Sequence, residues 1–96
     1  MSVPEPPVAL VNALHHLADE ARRAAAIVPM SSSEHAFYNG VETAAEDRLR
    51  PVRQEAHDSA WLAAQSPSFR EGYMKTMDMV AAQGHAPLHL RLPEPT

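Results

Sequence analysis

The residues best suited to chemistry stand together at His15-His16-x-x-Asp19-Glu20. Imidazole nitrogens and carboxylates are the ligand types of helical-bundle metal centres, and His15 with Asp19 and His16 with Glu20 each lie one helical turn apart. An antiparallel neighbouring helix would bring Glu42 and Glu46 level with them. The hydrophobic pattern points the other way. Leu10, Leu14, Leu17, Ala21, Ala24 and Val28 recur at alternating steps of four and three, which is a heptad seam. Relative to that seam His15, His16 and Asp19 face outward, and only Glu20 flanks the interface. Ligands of a bundle site project inward, and no Glu-x-x-His pair occurs in the chain. The expectation is a solvated charged face, with His15, His16, Asp19 and Glu20 as candidate ligands and no metal or cofactor required.

The remaining reactive residue types do not converge. Six histidines are dispersed over positions 15, 16, 35, 57, 85 and 89, whereas zinc needs three or four ligands on one point. His85 and His89 straddle Pro87 and cannot share a helical face. His57-Asp58-Ser59 has the residue types of a catalytic relay, but consecutive helical residues point in different directions. Gly40, Gly72 and Gly84 are too scattered for a phosphate-binding loop, and no nucleophile elbow is present. An enzyme is not expected. Arg48, Arg50 and Arg53 form the only basic cluster, interleaved with Glu46, Asp47 and Glu55. With a net charge of −4 and a pI near 5.8, nucleic-acid binding is disfavoured.

Positioning these residues falls to helices. Among the 96 residues are 17 alanines, while Leu, Ile, Val and Phe together supply only 18. Alanine favours helix strongly, but a core built from it is thin, and a domain of this size has little stability to spare. A second copy or a partner would supply the missing burial. Cysteine is absent, which excludes disulfides and fits a reducing compartment. The segment Met1 to Pro7 has neither the basic region nor the apolar run of a signal peptide, and no apolar run approaches the ~20 residues needed to span a bilayer. A cytoplasmic protein without membrane attachment is expected.

The patterns predict an all-α fold of three helices, at about 7–28, 32–65 and 67–83. An extended lead covers 1–6, and a single helical domain covers 7–84. Pro29 ends the first helix, and Ser31 with Glu34 has the spacing of a capping box for the second. Phe37, Val41, Leu49, Val52, Ala56, Ala60 and Ala63 carry one apolar stripe through the long central helix, which should kink at Pro51. Ser66 and Pro67 are suited to N-cap and first-turn positions of the last helix.

Two helical glycines demand a reason, since each costs about 1 kcal/mol relative to alanine. A backbone-contact notch explains them. With the first turn centred near residue 30, Gly40 falls opposite Ala21, and Gly72 falls near Ser59 or Ala60. A cleft floored by Gly40 is the functional alternative. Phe37-x-x-Gly40 and Phe69-x-x-Gly72 repeat one pattern, an aromatic one turn ahead of a notch. Tyr38 and Trp61 lie one position off the stripes, either as partial core or as anchors for a partner.

From 85 to 96 the chain is an extended tail, in which Leu88, Leu90 and Leu92 alternate with His89 and Arg91 between prolines. Alternation puts the three leucines on one face. The tail can dock on its own helices, on a second copy or on another protein. The expected function is therefore a non-enzymatic protein–protein interaction module that self-associates, acting as adaptor, regulator or inhibitor. A small-ligand- or metal-binding helical protein is the alternative, and a DNA-associated regulator ranks third.

Overall fold

A computed structural model describes residues 8–49, 59–83 and 90–95. Among these the secondary structure is entirely helical: α1 (Val8–Ala26), α2 (Ser33–Leu49), α3 (Ser59–Ala63) and α4 (Pro67–Gln83). Among the described residues, no helix is long and apolar enough to cross a membrane.

Helix α1 buries Leu14, Leu17, Ala18, Ala21 and Ala25, the inner side of the heptad seam. Its last turn tightens, with the Ile27 and Val28 N–H groups reaching back three residues to Ala24 and Ala25, and Pro29 follows. Ser32 then caps α2. Its hydroxyl donates to the Pro29 carbonyl at 2.6 Å and accepts the His35 N–H at 3.1 Å. The cap thus sits one residue later than the Ser31–Glu34 spacing suggests, because the turn uses Ser31 as a linker residue. Helix α1 ends two residues before the predicted boundary.

The short connection forces α1 and α2 antiparallel. At the turn, His35 Nδ1 bonds the Ala25 carbonyl at 3.0 Å. Farther from it, Arg22 reaches Glu42 at 2.8 Å. A carbonyl only accepts, so Nδ1 of His35 carries the proton. That bond gives the Ala25 carbonyl, already accepting the Val28 N–H, a second donor at the α1 C-terminus.

Helix α2 is the central element, packed against α1 on one side and α4 on another. The core joins Leu14, Leu17, Ala18 and Ala21 of α1, Phe37, Val41 and Ala45 of α2, and Val80 of α4. The continuous helix predicted over 32–65 is described only as two separate pieces, α2 and α3. The predicted kink at Pro51 falls within 50–58, outside the described residues. Ser66 and Pro67 open α4 as their types predict: the Ser66 hydroxyl accepts the Phe69 N–H at 3.3 Å, and Pro67 is the first helical residue.

The glycines do not pair as predicted. A Cβ on Gly40 would land on the Phe69 carbonyl, 3.0 Å from its carbon and 3.0 Å from the Tyr73 nitrogen. One on Gly72 would land on the Phe37 carbonyl and lie 3.3 Å from Cγ2 of Val41. The two Phe-x-x-Gly units therefore interlock, each glycine receiving the carbonyl of the other unit's phenylalanine. The register around residue 30 assigns Ala21 to Gly40, and the last helix folding back on the second assigns Ser59 or Ala60 to Gly72. Ala21 is instead a core residue of α1. The difference arises because α4, not α1, makes the close backbone approach to α2.

Candidate functional site

Residues 90–95 run without helix or strand and lie on the helical body. Leu90 and Leu92, both half-buried, pack against the core cluster. The alternation turns both leucines to one side, and of the three docking surfaces it left open the structure shows the chain's own helices. Lys75 on α4 supplies the polar fastening. Its ammonium donates to the Glu94 carbonyl at 2.9 Å, pairs with Glu71 one turn away at 3.0 Å and stands 5.6 Å from the centre of the Phe37 ring. Lys75 is the only lysine in the sequence. A compact ammonium with three donors can serve a carboxylate, a carbonyl and a ring face together, where a planar guanidinium would impose its own geometry. Leu88, the third leucine of the alternation, lies outside the described residues.

Between this tail and α1 is an open groove of about 540 Å³. Ala9 and Ala13 form apolar wall, Asn12, His16 and Glu20 polar wall, and Leu90 with Arg91 the tail side. The histidine-bearing face of α1 thus borders the groove. His15, His16 and Asp19 are exposed and Glu20 is half-buried. His16 pairs with Glu20 one turn along the helix, while Asp19 meets Arg22 at 3.3 Å. Glu42 and Glu46 of α2 do approach α1, but Arg22 lies against them, at 2.8 Å from Glu42 and 3.8 Å from Glu46. A guanidinium in that position neutralises the carboxylates that a cation would need. No group of three or more metal-ligating side chains converges among the described residues.

Tyr38 and Trp61 are both half-buried. Each meets a phenylalanine edge-on: Tyr38 with Phe37 at 5.5 Å between ring centres, Trp61 with Phe69 at 5.6 Å. Both rings thus pack within the two Phe-x-x-Gly units while staying partly accessible. Arg48 is exposed, whereas Arg50 and Arg53 lie outside the described residues, as do His57 and Asp58.

Three further features carry weak sequence signals. Ile27 and Met30, at the α1–α2 turn, are 85% and 84% exposed. Asp47, 7% exposed, accepts a 2.8 Å hydrogen bond from the hydroxyl of Tyr73, itself 5% exposed. In the linear pattern Asp47 is one of several charges near Arg48, and only the crossing of α4 over α2 buries it. Thr76 is fully buried on α4, its hydroxyl donating to the Gly72 carbonyl at 2.9 Å, which lets a polar residue sit inside without an orphaned group.

Compared with known proteins, the chain matches no protein-family model, no curated protein and no solved structure.

Proposed function

We propose that the protein is a non-enzymatic helical interaction module, cytoplasmic, that associates with itself and with another protein as an adaptor, regulator or inhibitor. The observation that carries this is the exposure of Ile27 and Met30, two large apolar side chains three residues apart at one tip of the molecule. The core meanwhile relies on alanines at 18, 21, 25, 44 and 45. A fold short of large apolar residues that leaves these two in water, as it does Val8 and Met74, has surface suited to a partner. Half-buried Tyr38 and Trp61 add anchors of the type that dominates interfaces.

The test is affinity purification from the native host with the parent protein and with the double variant Ile27→Glu, Met30→Glu. Both positions are exposed, so fold and stability should hold to within about 0.5 kcal/mol. A partner retained by the parent and lost by the variant is the expected result. Equal recovery with both would remove the tip from the interface.

A second reading, small-ligand binding, is supported by the groove beside His16. Its mixed lining, with Ala9 and Ala13 apolar and Asn12, His16 and Arg91 polar, is of the kind that holds small molecules. Saturation-transfer NMR with a small-molecule library, followed by Ala13→Trp to fill the groove, distinguishes this reading from the first.

A further inference from the structure

The tip where α1 passes into α2 is locked by its own main chain. The Ser32 N–H and hydroxyl both donate to the Pro29 carbonyl, at 2.9 and 2.6 Å. The Val28 N–H and His35 Nδ1 both donate to the Ala25 carbonyl, at 3.4 and 3.0 Å. A turn bonded in this way keeps one shape and offers a partner side chains rather than main chain. Those side chains are Ile27 and Met30, 85% and 84% exposed. Ordering the turn's main chain adds little to the cost of association, because it is ordered beforehand.

One charge stands on each flank of this apolar pair. Arg23 lies in the last turn of α1, one turn before Ile27, and Glu34 lies in the first turn of α2. Both are exposed, and neither side chain has an ion pair or hydrogen bond among the described residues. Each suits the dipole of its own helix end, which accounts for its sign but gives it no partner. The neighbouring cation Arg22, by contrast, is already engaged with Glu42 at 2.8 Å.

An apolar centre with a cation on one side and an anion on the other is its own complement. A two-fold rotation about an axis normal to the plane of α1 and α2 sets α1 of each copy against α2 of the other. With the tips overlapped by one helical turn (~5.4 Å), Arg23 of each copy meets Glu34 of the other, and the apolar pairs close on one another. Two like charges on the flanks would instead repel a copy. We propose that the tip is a self-docking surface, and that the partner it fits is the same tip of a second copy. The inference rests on the reading of Ile27 and Met30 as an interface and names its occupant. Two apolar side chains and two charges per copy fall short of the ~800 Å² per partner typical of stable complexes. The dimer is therefore weak and concentration-dependent.

Charge reversal in the full-length chain tests the pairing, read by sedimentation equilibrium over a concentration series with circular dichroism as the check on folding. The parent should pass from 10.5 kDa towards twice that mass as its concentration rises into the millimolar range. Arg23→Glu leaves two anions on the flanks and Glu34→Arg leaves two cations. Each variant alone should dimerise about tenfold more weakly, since two exposed attractions become repulsions. An equimolar mixture of the two restores both cross-pairs and should associate as the parent does. Parental self-association in either single variant, or a mixture no stronger than the singles, would overturn the proposal and leave self-association itself intact. A parent that keeps the single-chain mass throughout would overturn both, and the tip's role towards another protein is then read by the affinity purification alone. A second measurement uses only the parent sequence and so is immune to misfolding of a variant. In a mixture of carbon-13-labelled and unlabelled chains, isotope-filtered NOEs should join the Met30 methyl of one chain to Ile27 or Met30 of the other. A dimer without those cross-peaks has its interface elsewhere, and docking of tip on tip would be wrong.

Discussion

The Cβ direction of Gly40 is aimed at the carbonyl oxygen of Phe69, and that of Gly72 at the carbonyl oxygen of Phe37. Each glycine therefore points a Cα–H at a helix carbonyl, a contact worth about 0.5–1 kcal/mol where it recurs between helices. More important is what it excludes. The obstruction is main chain, which cannot rotate away as a side-chain end could. Gly40→Ala and Gly72→Ala should each destabilise by about 1–3 kcal/mol, despite a gain of about 1 kcal/mol in helix propensity. In a domain of this size that lowers the melting temperature by about 4–8 °C per kcal/mol. Thermal melts check it, and unchanged or raised melting points would mean that the helices separate easily at the crossing. Because both glycines serve one crossing, the double variant should cost less than the sum of the singles.

A second outcome concerns the buried Asp47–Tyr73 pair. Tyr73→Phe keeps the ring and deletes the hydroxyl that donates to the carboxylate at 2.8 Å. Asp47 has contacts beyond this one, so the change does not isolate a buried charge. A loss of about 1–2 kcal/mol is expected, read from the midpoint of urea denaturation at unchanged slope. A changed slope would show that the variant alters the compactness of a state rather than one contact.

How much of this was legible in the sequence follows from the range of each signal. Helix α1, the Ser66–Pro67 start of α4 and the outward aim of His15 and His16 depend on neighbours within two turns. Their spacing alone specifies them. The Phe-x-x-Gly echo was also visible, and its reading as a notch for backbone contact with it, but the partner of each notch was not, because that depends on which helices cross rather than on spacing within one. The same holds for Asp47 and Lys75, ordinary surface types in a linear pattern. Only the crossing of α2 and α4 buries the first, and only the returning tail gives the second its carbonyl partner. His35 is intermediate: a short turn followed by a histidine in the first turn of α2 can reach the end of α1, but spacing does not say that it does.

The histidine face yields a prediction of no effect. His15→Gln and His16→Gln together alter two exposed side chains and one surface pair, His16 with Glu20. Such pairs contribute about 0.3–0.5 kcal/mol, so the double variant should melt within about 0.5 kcal/mol of the parent. Zinc titration by calorimetry should give no stoichiometric binding that the double variant loses. Stoichiometric metal bound by the parent alone would make this face a site and would require Arg22 to swing away from Glu42 and Glu46.

The last prediction uses the single lysine to watch the tail. In Lys75→Met the side-chain stem is kept and the ammonium lost, and with it the Glu94 bond, the Glu71 pair and the contact over the Phe37 ring. Exposed or half-exposed ion pairs of this kind contribute little to global stability, so the melting temperature should fall by no more than a few degrees. The local effect should be larger. Leu90 and Leu92 then remain as the leucine contacts of residues 90–95 with the core, each worth about 1.5–3 kcal/mol on complete burial and less here because both are half-buried. Local opening should therefore become frequent without global unfolding. Limited proteolysis cutting after Arg91 reads this directly: cleavage in Lys75→Met should accelerate several-fold over the parent, while cuts within α1 and α2 stay slow. Lys75→Arg should fall between the two, since guanidinium keeps the charge but not the compact three-donor geometry. Equal cleavage at Arg91 in all three proteins would show that the leucines alone seat the tail and that Lys75 is not its fastening.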